Sequence, residues 1–132
     1  MLPSRLLPDT CAWIDFLRGK PTPLAAVLEQ SLLSSEVMAC GVVLLELLQG
    51  IKSPREEELV QNALQALPHL EMTRNLWIKA GKLSSRLRMK GHILPLSDII
   101  IAVLALEHNC AVLTVDRHFE AVPGLKVIKG SL

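Results

Sequence analysis

The chain has 132 residues, of which 50% are hydrophobic and 20% charged, with a formal net charge of +1. That aliphatic content excludes a disordered chain, and the length suits one domain, residues 1–132, built on one sizeable core. A near-neutral balance excludes a generally polybasic binder, and 3% aromatics without a single Tyr exclude a stacking platform for single strands.

In chain order, Arg5 to Pro8 reads as a first strand closed by Asp9. Thr10 to Arg18 reads as a helix stopped by Gly19, with Pro21 and Pro23 punctuating the turn, and Leu24 to Leu33 as a second helix. Glu36 to Cys40 is a strand. Val42 to Gln49 is helical with Gly50 as its stop, and Pro54 to Leu67 is a helix capped by Ser53 with proline in its first turn. A short strand is expected around Leu70 and Glu71. Thr73 caps a long helix running to about Met89, and Ser97 is the expected cap of a helix from Asp98 to Glu107. Ala111 to Thr114 and Leu125 to Ile128 are the last strands. Strands alternating with helices point to an α/β fold, a central parallel sheet covered on both faces.

Cys11, Cys40 and Cys110 are an odd, scattered set without a CxxC spacing, which suits a reducing cytosol rather than a disulfide framework or a zinc site. After Arg5, only Leu6 and Leu7 precede Pro8 and Asp9, too short for the apolar stretch of a signal peptide. The longest uncharged apolar run, Ile99 to Leu106, is too short to span a membrane. The expectation is a soluble, cytoplasmic protein without a membrane segment.

Only four Asp occur: Asp9, Asp15, Asp98 and Asp116. Asp9 ends the first strand, Asp116 follows the strand from Ala111, and Asp98 opens a helix. In an open parallel sheet, ligands bind at the carboxyl ends of the strands, so Asp9 and Asp116 share a crevice if their strands are neighbours. Each Asp also reads as a helix cap, and for Asp98 alone that reading leads. Glu46 lies in the run Val42 to Leu48, apolar on every face, and is therefore expected to be buried and in need of a partner, either a distant Arg or a metal. Asp9, Glu46, Asp98 and Asp116 together suggest an acidic cluster, which stays ionised only around a cation. All-oxygen ligands suit Mg²⁺ or Mn²⁺ rather than zinc, and such a site fits phosphodiester chemistry.

Six basic residues and no acidic one lie between Glu71 and Asp98. Lys79, Lys82, Arg86 and Lys90 recur at helical spacing on one face, opposite an expected buried stripe of Leu76, Trp77, Ala80, Leu83 and Leu87. That face is either an ordinary solvated surface or a phosphate-contacting rim, extended by Arg18, Lys20 and Arg117. The four His have no metal-ligand spacing, although His118, close to Asp116, is within reach of a bound substrate.

Four segments resemble, in order, the motifs of a PIN domain, in particular a VapC-type toxin ribonuclease: Leu7 to Gly19, Val43 to Gly50, Leu96 to Ala102, and Leu113 to Phe119 with its Thr-x-Asp ahead of a Phe. The resemblance covers nearly the whole chain. It implies a sheet of about five parallel strands and a Mg²⁺-dependent endoribonuclease, with Mn²⁺ a possible substitute. Asp9, Glu46, Asp98 and Asp116 would be the catalytic and metal-binding acids, Asp9 and Asp98 foremost as direct ligands. Thr10 and Thr114 would be hydrogen-bond donors behind them. Lys79, Lys82, Arg86 and Arg117 are the candidate RNA contacts. Asp15 falls outside the motifs and reads as structural. Cys11 stands where the family often has a small polar residue. The resemblance further implies a homodimer and a cognate VapB-type antitoxin. The mechanism it implies is hydrolysis by metal-activated water, giving a 5′-phosphate and a 3′-hydroxyl.

Two other classes compete. A phosphoacceptor domain of the receiver kind shares the architecture and an acidic Mg²⁺ pocket, but needs adjacent acids after the first strand and a Lys-Pro near the last. Here Asp9 is followed by Thr10, and Lys129 by Gly130. Loss of one of the acids would favour a non-catalytic binding module on the same scaffold, and all four are present, which ranks it below the enzyme.

Overall fold

The computed structural model describes residues 2–130. Six short strands alternate with helices: β1 (Arg5–Pro8), α1 (Thr10–Leu17), α2 (Pro23–Ser34), β2 (Glu36–Val37), β3 (Ala39–Cys40), α3 (Gly41–Gln49), α4 (Pro54–Gln65), β4 (His69–Leu70), α5 (Arg74–Met89), α6 (Leu96–His108), β5 (Ala111–Leu113) and β6 (Val127–Ile128). A 3₁₀ helix, Arg117–Ala121, follows β5. The sequence pattern does not announce this turn.

β2, β1, β5 and β6 form one sheet in that order, every pair parallel. Leu6 stands beside Ala111, and Pro8 beside Leu113. β3 and β4 form a second parallel pair. One residue, Met38, separates β2 from β3. Its N–H donates to the Leu6 carbonyl (2.8 Å), and the next N–H, of Ala39, donates to the Pro68 carbonyl (2.9 Å). The extended segment Glu36–Cys40 thus passes from β1 to β4. Counted as one strand, it gives the five expected parallel strands, flanked by helices.

Leu6, Leu7, Val112 and Leu113 are fully buried, as the unbroken apolar strands require. α6 is the most enclosed helix of the core, burying Ile99, Ile101, Ala102, Val103, Leu104 and Ala105. Asn109, in the left-handed conformation (φ 55°), ends it and turns the chain into β5. β1 has β2 on one side and β5 on the other. The chain therefore departs from β1 toward one sheet edge and returns on the opposite side, which makes the carboxyl ends of β1 and β5 the place for a ligand.

Three local expectations are corrected. Ser97 does not cap α6. The helix starts two residues earlier, at Leu96 behind Pro95, whose carbonyl accepts from the N–H groups of Asp98 (3.0 Å) and Ile99 (3.1 Å). A proline held at φ −56° leads into the helix without a side-chain cap. α3 is not buried all round: Val43 and Leu47 face the core, while Leu45 is 60% exposed and Glu46 half-buried. Trp77 is likewise 53% exposed, whereas Leu76, Ala80 and Leu87 are buried. No helix among the described residues is long and apolar enough to cross a membrane.

Candidate metal centre

The site is assembled where β1 and β5 end. The Asp9 N–H donates to the Leu113 carbonyl (2.9 Å), so the last ladder bond between the strands carries the first acid. Asp9 then caps α1, its Oδ1 accepting from the Thr10 N–H (2.8 Å). Its Oδ2 accepts from the fully buried Thr114 hydroxyl (2.8 Å). The same hydroxyl accepts from the Asp116 N–H (2.9 Å). Thr114 thereby ties the first acid to the backbone of the last.

Thr10 serves the second acid. Its hydroxyl donates to Glu46 Oε1 (2.7 Å), reaching from the first turn of α1 to α3. Beside Glu46, a groove between α1, α3 and α4 is lined by Ile14, Leu17, Leu47, Leu59 and Val60, with Arg18 at its edge.

Asp98 sits in the first turn of α6 and is buried. Asp116 caps the 3₁₀ helix by accepting from the His118 N–H at Oδ1 (2.9 Å). That turn brings the His118 ring back over the site, with Nδ1 3.0 Å from Asp98 Oδ2 and 3.0 Å from Asp116 Oδ1. Two carboxylates face one ring nitrogen, an arrangement that a proton on Nδ1 satisfies when both are ionised. One ligand atom from each of Asp98, Asp116 and His118 lies within 4.8 Å of the others. The His118 contact joins residues 20 apart in sequence, and its only trace there is the Asp-x-His spacing after β5.

The electrostatics follow from this crowding. Burial pushes the Asp9 carboxyl above its ordinary value, the Thr114 and Thr10 hydrogen bonds oppose the push, and the charges of Glu46 and Asp116 add to it. Burial raises Asp98 to about 6, opposed by the His118 hydrogen bond and reinforced by Asp116 and Asp9. His118 is raised in turn, first by its hydrogen bond to Asp98 and then by the Asp116 charge. The four acids named from sequence therefore feel one another. Their hard oxygen donors and unmet demand for positive charge fit a divalent cation.

The remaining candidates lie elsewhere. Lys79, Lys82, Arg86 and Lys90 line one groove along α5, as their spacing requires. Lys79 pairs with Glu107 (2.8 Å), which is nine residues along α6 from Asp98, a rise of about 13 Å. From that pair the stripe follows α5 through Lys82 and Arg86 to Lys90, in a groove whose α6 wall includes Val103 and Leu106. Arg117 follows Asp116 directly and is solvent-exposed, pairing with Glu120. Asp15 is held by the Thr22 hydroxyl (2.8 Å), a structural partner. Cys11 Sγ lies 3.7 Å from Thr114 Oγ1, and burial raises its thiol, so it stays protonated behind Asp9.

The PIN domain family model matches residues 6–125. Ribonuclease VapC19 of Mycobacterium tuberculosis is 33% identical over 123 residues, covering 89% of this chain and 94% of that protein. A VapC ribonuclease of Mycobacterium bovis is 25% identical over 122 residues, covering 89% and 90%. Among solved structures, DNA-bound VapBC from Salmonella typhimurium superposes with a TM-score of 0.80 at 24% identity, covering 99% of this chain and 100% of that one. VapBC2 from Rickettsia felis, bound to a promoter fragment, gives 0.79 at 20% identity over 94% and 97%. Motif order, fold and relatives agree: the chain belongs to the PIN domain family and stands within it among the VapC ribonucleases.

Proposed function

We propose that this protein is a divalent-metal-dependent endoribonuclease, the toxin of a toxin–antitoxin pair, with Asp9, Glu46, Asp98 and Asp116 as its catalytic and metal-holding acids. The observation that carries this reading is the meeting of four acids from β1, α3, α6 and the turn after β5 at one crevice, two of them raised by burial and mutual repulsion. A Mg²⁺ ion, or Mn²⁺ in its place, would lower the pKa of water and offset charge on the phosphodiester.

The chain's own residues then divide the work. Asp9 and Asp98, both buried, would hold the ion with Asp116 beside them. Thr114 fixes the Asp9 carboxylate and, through the Asp116 N–H, the turn that carries Asp116. Thr10 occupies Glu46 Oε1 and leaves Oε2 to accept a proton from the attacking water. Arg117, beside the acids, meets the phosphate backbone, and the α5 stripe of Lys79, Lys82 and Arg86 contacts phosphates farther along the RNA.

The partners follow from the same reading. A VapB-type antitoxin, the kind named with VapC in the structural neighbours, would cover the apolar groove beside Glu46 and place a basic side chain among the acids. A second copy of the chain would cover the exposed Trp77, Met89 and Leu96 between α5 and α6. Residues 1–132 act as one unit in the cytoplasm. The receiver reading gains nothing here, because the residue after Asp9 spends its hydroxyl on Glu46.

The test is the chemistry of the product ends. Purified protein, free of antitoxin, is incubated with end-labelled RNA and Mg²⁺. Products with a 5′-phosphate and a 3′-hydroxyl are expected. A 2′,3′-cyclic phosphate would mean attack by the neighbouring ribose hydroxyl and would contradict the reading.

A further inference from the structure

We propose that His118 is a further direct metal ligand through Nδ1, joining the carboxylates of Asp9, Asp98 and Asp116, and that this nitrogen makes the site prefer Mn²⁺ to Mg²⁺. The inference rests on the nuclease reading above and names the ion its site selects.

The geometry supports it. In an octahedral site with bonds of about 2.1 Å, neighbouring ligand atoms stand about 3 Å apart. His118 Nδ1 stands 3.0 Å from Asp98 Oδ2 and 3.0 Å from Asp116 Oδ1. Two edges of a ligand face are thus already drawn at the spacing an ion requires. Asp116 caps the 3₁₀ helix through the His118 N–H, so ring and carboxylate are set by one turn of backbone. Among the described residues the ring makes no other hydrogen bond, and His118 is exposed.

Without an ion, the Nδ1 proton bridges the two carboxylates. With an ion, neutral imidazole carries its proton on Nε2 and offers the Nδ1 lone pair; any second proton leaves to solvent. A set of carboxylates with one imidazole differs in kind from an all-oxygen set. Carboxylate and water suit Mg²⁺ and Mn²⁺ alike, whereas imidazole adds affinity for transition ions and little for Mg²⁺.

The test is metal binding, not turnover. Mn²⁺ is titrated into metal-free protein, Mg²⁺ competes, and pulsed electron paramagnetic resonance reads nitrogen coupling to the bound Mn²⁺. Wild type should bind Mn²⁺ at least about tenfold tighter than Mg²⁺ and show one coupled ¹⁴N nucleus. His118→Gln should lose that coupling and most of the preference while still binding Mg²⁺. Mn²⁺ bound without nitrogen coupling in wild type, yet lost in Asp98→Asn, would overturn the His118 assignment and leave the acidic site standing. No binding of either ion would overturn both. The wild-type spectrum decides the matter even if His118→Gln folds poorly.

Discussion

The Thr114 hydroxyl donates to Asp9 Oδ2 at 2.8 Å, joining residues 105 apart in sequence, and accepts from the Asp116 N–H at 2.9 Å. One fully buried oxygen thus sets the first acid and the turn that bears the last. Thr114→Val keeps the shape and removes both bonds, stranding a buried carboxylate oxygen and an N–H. The expected cost is about 2 kcal/mol in a urea melt, with cleavage falling at least about tenfold. Thr114→Ser restores most of both.

Asp9→Asn separates charge from shape. The amide oxygen still accepts from the Thr10 N–H, and the amide fits the same space. Cleavage should fall by about a thousandfold or more, the equivalent of several kcal/mol of lost charge stabilisation. Thermal stability of the metal-free protein should hold or rise, since burial and the charges of Glu46 and Asp116 disfavour the Asp9 carboxylate.

Thr10→Val tests how Glu46 is aimed. The hydroxyl donates to Glu46 Oε1 at 2.7 Å, and the site is half-buried, so the fold should change little. Cleavage should fall about tenfold, and Thr10→Ser should recover it.

Stability should depend on pH in a definite direction. Asp98 is raised from 3.8 to about 6, and His118 is raised above 6.5. In both cases the folded protein binds its proton more tightly than the unfolded chain. The stability they contribute is present below the unfolded values and is lost as pH rises through the folded ones. Metal-free protein should therefore melt at a lower temperature at pH 7.5 than at pH 5. Added Mn²⁺ should raise the midpoint at pH 7.5 and change it little at pH 5.

Asp15→Asn is the control among the acids. Asp15 accepts from the Thr22 hydroxyl, and Thr22 caps α2 at the Ala25 N–H. Replacement should cost about 1 kcal/mol in a urea melt and leave cleavage of RNA unchanged.

Much of this was legible because local rules and tertiary structure agree. Leu6, Leu7, Val112 and Leu113 read as buried parallel strands and are so, and Asp9 directly follows the first of these strands. Thr73 and Ser53 cap the helices expected of them. Two failures share one physical cause, which is that apolarity does not say which face has a neighbour. Apart from Glu46, Val42 to Leu48 is apolar, yet only Val43 and Leu47, one turn apart, are fully enclosed, and Leu45 is 60% exposed. Trp77 adjoins the buried Leu76 but points about 100° around α5, into solvent. The basic stripe shares a face as its spacing requires, but spacing cannot tell which end of α6 it meets; Lys79 finds Glu107. The His118 contact with Asp98 needs the 3₁₀ turn and the packing of α6 together, and no local pattern contains both.

The most direct measurement is metal-dependent cleavage of total cellular RNA by antitoxin-free protein, with Mg²⁺, with Mn²⁺ and with excess chelator, alongside Asp98→Ala. Discrete cleavage that requires metal and vanishes in Asp98→Ala is the predicted result. Cleavage that survives the chelator, or full activity in Asp98→Ala, would contradict the account.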